Sequence, residues 1–206
     1  MSLGIAILLA WILGGVPFGL LVVRAWKGVD IRQVGSGNVG ATNASRVFEG
    51  RGRLPVFLGI YLFDFFKGFV PAMFFATWFG LPETVDRQVA LGAAAVLGHC
   101  VSPFLGLKGG KGVATTTGVF AAVEPIALVA SLVVFGIVAR LTRQVFWGSL
   151  ALGLTLGLAV PLREPSTAFS DRWAVSVAAI TGALFLLYTH RSNLRQFFVT
   201  RREAKV

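Results

Sequence analysis

Apolar stretches of membrane-spanning length fix what this chain can fold into. Five are plain, at about residues 3–23, 54–79, 88–105, 145–160 and 173–189, and a helix needs about 20 such residues to cross the hydrocarbon core of a bilayer. Lipid offers the backbone no hydrogen-bond partners, so runs of this length fold as helices. Of the 206 residues, 55% are hydrophobic and only 14% charged, whereas soluble domains are roughly 25% charged. The expected fold is all-α, a polytopic helical membrane bundle forming one domain over residues 1–206. The N-terminus lacks a basic start and a cleavage site before its apolar run, so it reads as a retained first helix.

A further apolar region, 113–138, is interrupted by Glu124-Pro125. A carboxylate and a proline are both costly at the centre of a lipid-facing helix. Cytoplasmic loops carry the Lys/Arg excess of membrane proteins. If 113–138 is one span, the basic loops fall on opposite faces. If it is two short helices turning at Glu124-Pro125, one face gathers Arg24, Lys27, Arg32, Arg46, Arg51, Arg53, Lys108, Lys111, Arg140, Arg143, Arg191, Arg195, Arg201, Arg202 and Lys205, 15 of the 19 Lys and Arg. The other face keeps Arg87, Arg163 and Arg172, accompanied by Glu83, Asp86, Glu124, Glu164 and Asp171. The sequence therefore predicts about seven membrane segments, two of them short, with the N-terminus outside and the C-terminus cytoplasmic. The net charge of +10 suits an anionic membrane surface and anionic substrates. No soluble basic module is present to bind nucleic acid.

Three polar clusters interrupt the apolar background, all on the basic face. The first is Gly35-Ser36-Gly37-Asn38-Val39-Gly40-Ala41-Thr42-Asn43-Ala44-Ser45-Arg46. Its glycines let successive N–H groups converge on one point, Ser36, Asn38, Thr42 and Asn43 add neutral donors, and Arg46 adds a guanidinium fork. The second is Lys108-Gly109-Gly110-Lys111-Gly112-Val113-Ala114-Thr115. A nucleotide P-loop needs Ser or Thr directly after its lysine, and here Lys111 is followed by Gly112. The physical idea survives: a glycine turn opens a helix, whose free N–H groups and positive end favour an anion. The third is His190-Arg191-Ser192-Asn193, where the last apolar helix ends. His190 is a candidate for holding phosphate or activating a hydroxyl.

Smaller features have plainer readings. Asp64 and Lys67 are three residues apart on one helix face and can neutralise each other; a functional and a structural role are both open. His99 reads as a support for the turn at residues 108–112. Gly15-Val16-Pro17-Phe18-Gly19 is a small-xxx-small packing pattern. Cys100 is the single cysteine, which rules out an internal disulfide. Carboxylates are scarce on the basic face, so neither a metal nor any other cofactor is expected. There is no nucleophile elbow and no His-x4-Asp acyltransferase motif: Phe104 lies five residues after His99 and Arg195 five after His190. Outside the enzymes, a transporter of a phosphorylated solute would need inverted repeats and polar groups near the midplane, and neither is visible. A lipid-binding scaffold is the remaining alternative.

Together the three clusters resemble the three motifs of the bacterial acyl-phosphate:glycerol-3-phosphate acyltransferases, with Gly98-His99, Asp64 and Lys67-Gly68 extending the likeness along nearly the whole chain. The resemblance implies a small multi-helix enzyme of the bacterial inner membrane with a cytoplasmic active site. It would transfer an acyl group from acyl phosphate to the 1-hydroxyl of glycerol 3-phosphate, giving lysophosphatidate and phosphate and opening phospholipid synthesis. It implies catalytic roles for Ser36, Arg46, His190 and Asn193. Substrate contacts would come from Gly37, Asn38, Gly40, Thr42, Asn43, Lys108, Gly109, Gly110, Lys111, Gly112, Thr115 and Ser149. Phe146 stands where the family has a further serine, Gln196 and Thr200 replace an expected arginine and glycine, and Glu203 sits one place beyond the expected acid. The implied partners are the two substrates and membrane lipid, with no obligate protein partner.

Overall fold

The computed structural model describes residues 2–203, and the side chains of residues 2–200. Lys205 of the basic tail lies outside the described residues, as do the side chains of Arg201, Arg202 and Glu203. The described residues contain helices and turns and no strand. They form two compact units that divide between Val123 and Glu124, where the sequence places its break.

The first unit comprises α1 (Leu3–Gly15), α2 (Phe18–Lys27), the short α3 (Ala41–Ala44), α4 (Arg53–Trp78), α5 (Val85–Cys100) and α6 (Val113–Val123). α1 packs on α5 and α4 on α6, through small residues that allow close backbone approach. A Cβ on Gly98 would collide with the backbone of Trp11, and one on Gly118 with the backbone of Phe65. The 3–23 stretch is not one helix. Pro17 has no N–H to continue the ladder, so α1 stops at Gly15 and α2 restarts at Phe18. The break takes two carbonyls out of the regular helical ladder, although that of Val16 still accepts the Phe18 N–H at 3.1 Å. Ser102 Oγ donates to the Gly15 carbonyl at 2.7 Å and Lys67 Nζ to that of Val16 at 3.0 Å. Gly15 and Gly19 serve packing, as their spacing predicts: Gly15 meets Pro103, and Gly19 meets the Val39 carbonyl.

The second unit comprises α7 (Pro125–Thr142), α8 (Val145–Arg163), α9 (Trp173–Thr189) and α10 (Arg191–Glu203). The buried Glu124 carboxylate, at the head of α7, pairs with Arg163 at the end of α8 (3.1 Å) and with Arg172 just ahead of α9. Glu164 also binds Arg163 at 3.0 Å and Arg172 at 3.2 Å. The start of α7, the end of α8 and the start of α9 therefore share one end of this unit, and the three helices alternate in direction. Arg140, Arg143, His190 and Arg191 consequently lie at the other end. α10 leaves α9 at a bend of 47°.

Five stretches are long and apolar enough to cross a membrane: Leu3–Lys27, Gly50–Trp78, Val85–Leu105, Pro125–Thr142 and Val145–Arg163. The bent pair Trp173–Thr189 with Arg191–Thr200 makes a sixth, and Val113–Val123 is a shorter apolar helix. The expected pair of short helices is corrected in one half. α6 has 11 residues, about 16 Å at 1.5 Å per residue. α7 runs past residue 138 to Thr142 and stops only at the left-handed Arg143 (φ 56°). Its 18 residues span about 27 Å, nearly the whole core.

Candidate active site

The first polar cluster is a built loop with a dry underside. Ile31, Val39, Ala41, Ala44 and Phe48 pack with Leu20 and Val23 of α2 and Val56 and Ile60 of α4. Asn43 is buried and fastens the loop. Its Nδ2 donates to the carbonyls of Ile31 (3.1 Å) and Val34 (2.9 Å), and its Oδ1 accepts the Ser36 N–H at 3.0 Å. Asn38 Oδ1 accepts the Gly40 N–H at 2.8 Å, an Asx turn. Gly35 and Gly37 are left-handed, with φ 59° and 69°, a conformation that a side chain disfavours. Ser45 Oγ donates to the Thr42 carbonyl at 3.2 Å. Ser36 and Arg46 are exposed, while Asn38, Gly40 and Thr42 are half-buried. The amide groups thus hold the backbone, and the hydroxyl of Ser36 and the guanidinium of Arg46 face outward.

The second cluster is laid on the end of α5. Leu107 follows Gly106 in the left-handed region (φ 61° and 60°), a strain of about 1–2 kcal/mol for a residue with a Cβ. The Gly110 N–H donates to the His99 carbonyl at 2.9 Å. A Cβ on Gly109 would overlap that carbonyl, and one on Gly110 would overlap the His99 imidazole, so His99 supports this turn as its position in the sequence suggests. The Thr116 N–H donates to the Gly112 carbonyl at 2.8 Å as α6 begins. Thr115 is fully buried, and its backbone fills the space beside Gly68 of α4. Lys108 is exposed and Lys111 half-buried. Burial, and then the charge of the nearby Arg46, pull the Lys111 ammonium down to about 8. The first unit thus brings two cations from separate glycine-bearing turns into mutual electrostatic range. Two like charges held together and partly desolvated repel each other, and a nearby anion would relieve that repulsion.

Beneath these turns, Asp64 and Lys67 pair at 2.8 Å as their i,i+3 spacing predicts, and His99 Nδ1 lies 3.7 Å from the same Asp64 oxygen. All three are buried.

The remaining predicted residues belong to the second unit. His190 caps α9 and is buried. Its Nδ1 lies 2.8 Å from the Leu186 carbonyl, which can only accept, so Nδ1 carries the proton. A backbone carbonyl one helical turn back orients this ring. Asn193 is half-buried in the first turn of α10. Ser149 is buried in α8 and donates to the Val145 carbonyl at 3.1 Å. Arg191 is engaged with the end of α9, donating to the Tyr188 carbonyl at 3.0 Å with its guanidinium 4.1 Å from the Tyr188 ring. Phe146, in place of a serine, joins Trp147 and Phe197 in an aromatic cluster. Among the described residues no group of three or more His, Cys, Asp or Glu could hold a metal ion.

Apolar helices of membrane-spanning length, with cationic glycine-bearing turns between them, define the class, a helical integral membrane protein. The family model for glycerol-3-phosphate acyltransferase matches residues 4–200. Similar proteins include the glycerol-3-phosphate acyltransferase of Myxococcus xanthus, 41% identical over 192 residues (91% of this chain and 92% of that one). A glycerol-3-phosphate acyltransferase of Thermus thermophilus is 41% identical over 195 residues (92% and 88%). The fold is similar to the crystal structure of PlsY, an integral membrane glycerol 3-phosphate acyltransferase, in its glycerol 3-phosphate form, with TM-score 0.84, 33% identity, and 98% of this chain and 94% of that one covered. The lysophosphatidic acid form of PlsY matches with TM-score 0.81 and 32% identity over the same shares. This chain belongs to the glycerol-3-phosphate acyltransferase family.

Proposed function

We propose that this protein transfers a fatty acyl group from acyl phosphate to the 1-hydroxyl of sn-glycerol 3-phosphate. The products are 1-acylglycerol 3-phosphate and inorganic phosphate, and the reaction opens phospholipid synthesis. The observation that carries the reading is the pairing of Arg46 and Lys111 on two glycine-bearing turns. Both substrates bear phosphate, and two phosphates brought close repel by a few kcal/mol at intermediate dielectric. Two fixed cations and the N–H groups of two turns offset that repulsion. Ser36 and Arg46 hold one phosphate. The 108–112 turn, with Lys111 foremost, holds glycerol 3-phosphate.

An acyl phosphate is a mixed anhydride with a good leaving group, so no protein nucleophile is required. The hydroxyl oxygen attacks the acyl carbonyl, a tetrahedral oxyanion forms, and the carbon–oxygen bond to phosphate breaks. Alignment and stabilisation of that oxyanion supply the rate enhancement. The hydroxyl proton goes to His190 or to the donor's own phosphate, and Asn193 holds the acceptor. Purified protein in detergent, given palmitoyl phosphate and glycerol 3-phosphate, is expected to release phosphate and form lysophosphatidate. Transport or lipid binding without this turnover would overturn the proposal. If His190 takes the proton, the His190→Gln variant is expected to stay at least about 100-fold down at every pH. Recovery at high pH would assign the proton to the donor's own phosphate.

Lys111 makes the reaction pH-dependent. A protonated ammonium at about 8 is lost as pH rises through that value, and kcat/KM reports the groups of the free enzyme. The phosphate of the acceptor becomes dianionic above roughly pH 6. The kcat/KM for glycerol 3-phosphate should therefore be highest between about pH 6 and 8. Lys111→Arg, whose charge persists, should flatten the upper limb. An unchanged upper limb would remove Lys111 from the anion site.

The membrane orientation follows from charge. We infer that the loops bearing Arg46, Lys111, Arg140, Arg143 and Arg191 face the cytoplasm of a bacterial inner membrane, with the N-terminus outside. Within the second unit this is supported by the grouping of Arg140, Arg143 and Arg191 at one end, whereas Arg163 and Arg172 at the other end are neutralised by Glu124 and Glu164.

A further inference from the structure

Asp64, Lys67 and His99 are three buried ionisable side chains that the reaction above does not use. Ionisable groups inside a membrane protein are retained for a reason, and their contacts here lead to both anion-binding turns. Lys67 donates to the Val16 carbonyl at 3.0 Å. Val16 opens the break between α1 and α2, and three residues on, Gly19 of α2 abuts the Val39 carbonyl of the first loop. His99 lies directly under Gly109 and Gly110 of the second turn and accepts the Gly110 N–H through its carbonyl at 2.9 Å. Asp64 stands between the two, 2.8 Å from Lys67 and 3.7 Å from His99. Val16, Phe18, Val39, Asp64, Lys67 and His99 line one shared recess. Each turn thus leads to a different member of one buried polar cluster, the first by way of Val16 and Gly19 and the second directly.

We propose that Asp64, Lys67 and His99 are positioning residues that set the separation of the two anion-binding turns, and so align the acyl phosphate with glycerol 3-phosphate. This rests on the reading of those turns as the two phosphate sites. The cluster touches no substrate; it acts through Val16 on one side and Gly110 on the other. A misplacement of about 1 Å between reacting groups lowers turnover about 100-fold. Each turn keeps its own cation and N–H groups, so separate substrate binding survives when the cluster is lost.

The test uses the full-length purified protein. Lys67→Met or Asp64→Asn alone leaves a buried charge without its partner, and both are expected to lower Tm as well as activity. The double variant Asp64→Asn/Lys67→Met removes both charges and is expected to regain Tm. Its kcat should stay about 10- to 100-fold down, with KM for glycerol 3-phosphate within about threefold of the parent. A double variant with parental kcat, or a loss that appears in KM alone, overturns the proposal. A second readout is independent of turnover. Spin labels at Gln33→Cys and Lys108→Cys, in a Cys100→Ala background, report the distance between the turns. The distribution should be narrow with the cluster intact and broadened or shifted in the double variant; an unchanged distribution also overturns the proposal. If the parent transfers no acyl group while the distance still responds to the double variant, the cluster's positioning role stands and the assigned reaction fails.

Discussion

Arg46→Ala is expected to lower kcat/KM for glycerol 3-phosphate about 10²–10³-fold, the size of effect seen when one donor of an oxyanion-stabilising site is removed. The physical reason is the position of Arg46. It projects, exposed, from a loop whose own hydrogen bonds are closed by Asn43, Asn38 and Ser45. The loop does not depend on the guanidinium for its shape, so the loss should fall on substrate charge and leave the fold alone. Tm should move by no more than about 2 °C, since surface substitutions of this kind stay within about 0.5 kcal/mol. Arg46→Lys should recover only part of the activity, because a point charge replaces a planar fork. Steady-state kinetics on protein extracted from the membrane fraction measure both variants. A loss below about fivefold for Arg46→Ala would mean that a different group bears the phosphate charge.

The second large effect is steric. In Gly109→Ala the new methyl overlaps the His99 carbonyl oxygen, a backbone atom at the end of α5 with no freedom to retreat. The turn must lift, and it carries Lys111 with it. The expected loss in kcat/KM is about 100-fold. Gly52→Ala is the control: a Cβ there meets nothing within 4 Å, and its φ of −74° is ordinary for any residue. That variant should keep parental activity. If Gly109→Ala also does, the turn is not seated on α5 as described.

Much of this was legible in the residues. Glu124-Pro125 marks its break openly, because a carboxylate and a proline are both out of place in lipid. Asp64 and Lys67 declare their pairing through i,i+3 spacing. The turn-forming character of the two glycine-bearing clusters follows from composition alone. What stayed hidden depends on contacts between distant residues. Pro17 lies in a stretch whose hydropathy is that of an unbroken helix, and the groups that take up its freed carbonyls, Lys67 and Ser102, are far along the chain. Asn43 reads as a substrate donor until its backbone partners Ile31 and Val34 are seen. His190 binds a main-chain carbonyl, that of Leu186, which no side-chain pattern can reveal. α7 gained its full length because Ala139 to Thr142 contain no helix breaker, whereas a hydropathy reading stops at the first arginine.

The break in the first span also bears on how the protein is made. The groups that satisfy the carbonyls of Val16 and Gly15 lie 51 and 87 residues downstream, so neither has been synthesised when the N-terminal segment reaches the bilayer. Within the N-terminal segment itself Val16 can accept only the Phe18 N–H, at 3.1 Å, and the Gly15 carbonyl gains its donor from Ser102, beyond α5. The side-chain contacts that hold this bend are therefore complete only when the first three spans are all present.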